Sequence, residues 1–94
     1  MAAQGREGEG TRLMAVLYVV DVPEFQPLVD YAENTPELTL ARHGAYHKIE
    51  AKNGGELIIH REPTGMDAAI WFGGLVGGYE GEIVEFSEDV LRIG

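Results

Sequence analysis

The chain has 94 residues, 45% of them hydrophobic, and sixteen Asp and Glu against seven Lys and Arg give a formal charge of −9. That length supports one domain with a single modest core, and the charge makes the electrostatic term for nucleic acid or anionic lipid repulsive, so neither is an expected partner. There is no cysteine, which excludes a disulfide framework and a thiolate metal site and accords with a reducing cytoplasm as the expected location.

The polar, Gly-rich start "MAAQGREGEGTR" has no apolar signal-peptide core, so residues 1–12 read as a disordered leader and 13–94 as a single domain. The longest apolar run, "LMAVLYVV", is far short of the about 20 residues a membrane-spanning helix needs. Leu13 to Val20 lacks polar alternation, as expected of a strand covered on both faces and central in its sheet. Phe25, Leu28, Val29 and Ala32 then follow i, i+3, i+4, i+7, the stripe of a helix entered at Pro23. Pro27 requires that helix to start near Glu24, where first-turn N–H groups have no partner to lose, and Pro36 in "ENTPE" stops it.

From Glu37 the period becomes two, predicting strands at Leu38 to Arg42, Ala45 to Lys52 and Glu56 to Arg61. Asn53, Gly54 and Gly55 accept positive φ, so the last two strands are expected to form a hairpin through "NGG". "TGMDAAIWFGGLVGG" predicts a short helix with Asp67 near its start and Gly77 and Gly78 as its C-terminal caps. "EIVEF" and "VLRI" form a terminal pair of strands around "SED". The order β-α-β-β-β-α-β(β) describes an α+β fold, two helices packed on a mainly antiparallel sheet.

The stretch "WFGGLVGGYEG" carries five glycines in eleven residues, but it matches neither GxGxxG nor GxxxxGK[ST]. Glu80, Glu82 and Glu85 beside it repel a phosphate. His43, His47 and His60 are the candidates for metal or general-base work. On an extended chain His43 and His47 stand about 13 Å apart, whereas a hairpin would bring His60 toward His47 with Glu50 or Glu56 nearby. The bland alternative, solvent-facing sheet histidines, is preferred, and no metal or other cofactor is expected. No GxSxG accompanies a Ser, His and Asp set, so nucleophilic catalysis has no support. Trp71 and Phe72 are more informative, because neighbours on a helix lie about 100° apart and one of two adjacent large aromatics must leave the buried stripe. Next to flexible glycines, such a ring is a candidate anchor for a partner protein; the alternative is that both rings tuck into the small core.

"AYHKIEAKNGGELIIHR" and "YEGEIVEFSEDVLRI" resemble the regulatory (effector or coupling) proteins of bacterial multicomponent diiron monooxygenases. The first supplies Tyr46, Lys48, Ile49, Gly55, Leu57, Ile59 and Arg61, the second Tyr79, Gly81, Ile83, Asp89, Leu91 and Ile93. The similarity runs from about Met14 to Ile93. It departs from the family at "EPTGMDAAIWFGGLVGG", which is shorter and more apolar than the family's segment facing the hydroxylase. The resemblance implies an accessory subunit, not an enzyme, that binds a hydroxylase component without a cofactor and modulates its turnover. Trp71, Phe72, Met66, Tyr46, His60 and Tyr79 are then the candidate partner-binding residues, on a monomer or weak homodimer. Two other readings compete. One is a small ligand-binding or enzymatic α+β domain with a pocket lined by Tyr46, Trp71 and Tyr79; the other is a protein that self-associates through a sheet edge or the Trp71 patch.

Overall fold

A computed structural model describes residues 15–94; Leu13, Met14 and the leader expected at 1–12 lie outside the described residues. Within them, β1 (Val16–Val20) leads through a 3-10 turn at Pro23–Phe25 into α1 (Gln26–Glu33). Strands β2 (Leu38–His43), β3 (Tyr46–Ala51) and β4 (Leu57–His60) follow. After a 3-10 turn at Glu62–Thr64 come α2 (Ala68–Phe72), β5 (Tyr79–Glu80), β6 (Ile83–Phe86) and β7 (Val90–Ile93). This is the expected α+β class, with the strands shared between two antiparallel sheets ordered β2-β3-β1-β5 and β4-β7-β6.

β1 lies inside the larger sheet, paired to β3 on one side and β5 on the other. Its successive residues Val16 and Leu17 are both buried, as a strand covered on both faces requires. On α1 the predicted stripe is realised, Leu28, Val29 and Ala32 being buried. The first turn is 3-10 rather than α-helical, with Pro23 and Pro27 in the opening positions of successive turns where a missing N–H costs least.

The hairpin expected at "NGG" does not form. β3 already pairs with β2 on one edge and β1 on the other, so it has no free edge for β4, and the chain crosses there to the second sheet. The hairpin in this region is β2 with β3. Its two-residue loop, Gly44 and Ala45, joins the His43 and Tyr46 pair, and Gly44 at φ 62° takes the first central position that such a turn reserves for glycine.

Leu17, Leu28, Ile49, Leu57, Ile59, Trp71 and Ile93 draw both sheets and both helices into one apolar cluster. Burial of each such side chain contributes about 1.5–3 kcal/mol.

Beyond β1 the chain is pinned by Asp21. Arg42 donates from Nη2 to Asp21 Oδ2 at 2.9 Å, and His47 Nε2 lies 3.1 Å from Oδ1. The hydrogen bond from His47, then that from Arg42, hold the Asp21 carboxyl below the usual aspartate range. A lowered folded value means that the unfolded state binds the proton more readily. The stabilisation is therefore full above about pH 4 and fades as pH falls through the lowered folded value. In acid titrations of stability Asp21→Asn should lack this component; an identical acid limb in both proteins would show that the cluster does not couple to folding.

Candidate docking surface around Phe72

The surface is organised by the turn between β6 and β7. Ser87 Oγ accepts from the N–H groups of Asp89 and Val90 at 3.2 Å, a local side-chain turn of the kind serine favours. The carbonyls of this turn then hold α2 and its approach. Trp71 Nε1 donates to the Ser87 carbonyl at 2.7 Å, and Arg61 Nε donates to the Glu88 carbonyl at 2.6 Å while its Nη1 reaches the Met66 carbonyl at 2.7 Å. Asp67 caps α2 by accepting from the Ala69 N–H at 2.8 Å, satisfying one of the donors a helix start leaves open.

With α2 fixed in this way, the rotation of about 100° between neighbours separates the two aromatics. Trp71 is only 2% exposed, whereas Phe72 is 48% exposed. Phe72 stands edge-on to the half-buried Phe86 with ring centres 5.2 Å apart, and Phe86 in turn packs against Trp71 at 6.0 Å. The exposed ring is thus mounted on a half-buried one, itself backed by the buried Trp71, rather than hanging free.

α2 stops at Phe72, and Gly73, not Gly77 or Gly78, is its cap. The helix is too short for the caps expected from the sequence because the chain turns again at once. Val76 N–H bonds to the Gly73 carbonyl at 3.1 Å and Gly78 N–H to the Leu75 carbonyl at 2.9 Å. Val76, at the crest of these turns, is 73% exposed. Gly77 then passes against β1, where an added Cβ would strike the Tyr18 carbonyl and come within 3.3 Å of the Tyr46 ring. The exposed apolar side chains Phe72, at the end of α2, Val76, on the loop, and Tyr79, at the start of β5, therefore follow one another along the chain, and the Tyr46 ring approaches this loop at Gly77.

Of the six residues expected to bind a partner, Phe72, Tyr46 and Tyr79 are exposed, Phe72 and Tyr79 at the two ends of this loop. Trp71 and Met66 are in the core: the Ser87 carbonyl claims the indole, and Met66 fills the apolar cluster. His60 is exposed on β4, in the other sheet from His47. The predicted approach of these histidines fails with the hairpin that was to produce it. His47 engages Asp21 and His43 stacks on Tyr18. Among the described residues no three His, Asp or Glu side chains gather as metal ligands would. The pocket expected between Tyr46, Trp71 and Tyr79 would need the indole at a surface, but Trp71 is buried while Tyr46 and Tyr79 are exposed, and a groove lies instead beside β4.

Sequence reasoning passed over Val76, whose place between two Gly pairs was the available signal of a loop crest. It also passed over Asp21, for which "VVDVP" offered only a strand end. Comparison with protein-family models, curated proteins and solved structures finds no match for this chain.

Proposed function

We propose that the chain is a regulatory subunit that acts by binding, docking on the hydroxylase component of a multicomponent diiron monooxygenase and modulating its turnover. The carrying observation is Phe72, a large aromatic half exposed at the end of a helix and backed by the half-buried Phe86, which packs on the buried Trp71, with exposed Val76 four residues on. A ring held in place before binding loses little entropy on docking, which is what interface anchors exploit. The chain's residues supply binding, orientation and exclusion of water at the contact. The reading takes its partner from the similarity of the β3, β4, β6 and β7 sequences to the coupling proteins. Glu88 and Asp89 on the adjoining turn favour a partner patch that is apolar at its centre and basic at its rim.

Phe72→Ala is the test. Its stacking on Phe86 is worth about 0.5–1.5 kcal/mol, so the variant should remain folded, while truncation of an anchor costs about 2–4 kcal/mol of binding. With the hydroxylase component of a multicomponent diiron monooxygenase, the amides of residues 72–79 should gain exchange protection on mixing, and Phe72→Ala should need a much higher concentration to produce it. Protection elsewhere, with the variant binding as tightly as the parent, would move the docking surface off α2.

A further inference from the structure

Among the described residues β4 is an edge strand whose only partner in its sheet is β7. The Arg61 N–H donates to the Asp89 carbonyl at 2.9 Å, which fixes the parity of the ladder: with Leu57 opposite Ile93 and Ile59 opposite Leu91, the residues bonded to β7 are Leu57, Ile59 and Arg61. The N–H and C=O groups of Ile58 and His60 point the other way, toward the free edge. Among the described residues they have no hydrogen-bond partner across that edge.

Ile58 and His60 are also the two β4 residues that line a groove of about 410 Å³, whose other wall includes Tyr31, Leu38 and Ala51. A shallower depression continues from it along α1, sharing Tyr31 and Thr35. The charged residues lining the two are Glu37, Glu56 and Asp30, and neither contains Lys or Arg.

The other edges carry the features by which proteins avoid strand addition. β6 has an irregularity between Ile83 and Glu85 and is flanked by Glu82 and Glu88. β5 is two residues long, and β2 ends in Arg42 and His43. In β4, "LIIH" has no Pro, no formal charge and no bulge, and two of its four residues line the groove.

We propose that the β4 edge is a strand-addition site for an extended segment of another protein that alternates apolar and basic side chains. Ile58 and His60 would exchange backbone hydrogen bonds with it, its apolar side chains would enter the groove, and its basic ones would meet Glu37 and Asp30. The charge selects this occupant over a second copy of the chain, because two copies at −9 would bring like-charged walls together. The site is separate from the Phe72 surface and does not depend on the hydroxylase reading.

The test uses the full chain labelled with 15N, an acetylated and amidated hexapeptide alternating Val and Lys, and its Val and Glu counterpart. Expected are saturable shifts of the Ile58 and His60 amides with the Lys peptide and none with the Glu peptide. Glu37→Lys should weaken the response. Ile58→Pro, which removes an outward N–H and no bond to β7, should abolish it; should that variant unfold, Glu37→Lys still decides. The proposal is overturned if the Lys peptide leaves these amides unmoved, if both peptides act alike, if Glu37→Lys binds the Lys peptide as the parent does, or if the same amides shift on concentrating the chain alone, which would make a second copy the occupant.

Discussion

Replacing Trp71 by Ala is expected to remove about 3–5 kcal/mol of folding stability, roughly a fifth or more of what a domain of this size commonly has. The loss has two parts. The indole leaves a cavity where α2, Phe86 and the apolar cluster meet, and the Ser87 carbonyl loses its donor. The second part matters beyond its own energy, because that carbonyl belongs to the turn that also holds Arg61. Trp71→Phe keeps most of the apolar volume and loses the hydrogen bond, so its urea midpoint should fall between those of Trp71→Ala and the parent. Phe72→Ala should stay near the parent. Equal midpoints for Trp71→Ala and Phe72→Ala would mean that the division of the two rings between core and surface is wrong.

Gly77→Ala is the second substitution with a large expected effect, and its cause is steric rather than conformational. Gly77 does not have positive φ, so alanine suits its backbone, but the new methyl group would occupy the place of the Tyr18 carbonyl. Backbone cannot give way as a flexible side chain can. Overpacking of this kind costs about 1–3 kcal/mol and more where nothing relaxes. The expected consequence is local as well as global: the Tyr18 N–H to Gly78 carbonyl bond, 3.0 Å, should break and β5 should leave β1. Amide exchange at Tyr18 should then quicken more than at Ile49. Gly78→Ala makes the contrast, since Gly78 has φ 97° with open space around it and should pay only the left-handed cost of about 1–2 kcal/mol. A Gly77→Ala protein as stable as the parent would show that the loop can stand off from β1.

The elements of this fold could be read from the sequence because each carries its own period. Leu28, Val29 and Ala32 mark a helix face wherever that helix docks, and the dense apolar run to Val20 marks a strand covered twice. Pairing could not be read in the same way. "NGG" and "HGAY" both offer glycine to a turn, and only the occupation of both β3 edges by β2 and β1 decides that the second is the hairpin. Separating two short strands into different sheets is a property of the whole chain, not of the local residues.

The docking surface shows the same division. That one of Trp71 and Phe72 must face outward follows from helix geometry, but which one depends on the Ser87 carbonyl, sixteen residues away from Trp71. The strand-addition groove is less visible still, because Tyr31, Leu38 and Ile58 come from three elements. A sequence pattern has no term for the edge of a strand left without a neighbour.

The most direct measurement of the central claim is a titration of the unaltered chain into the purified hydroxylase and reductase of a multicomponent diiron monooxygenase. Turnover and the ratio of product to O₂ consumed are followed together. The docking account predicts a saturable change in both that levels off near one chain per hydroxylase active site and that Phe72→Ala reproduces only at much higher concentration. Turnover and coupling that stay flat across the titration, with a chain shown to be folded, would contradict it.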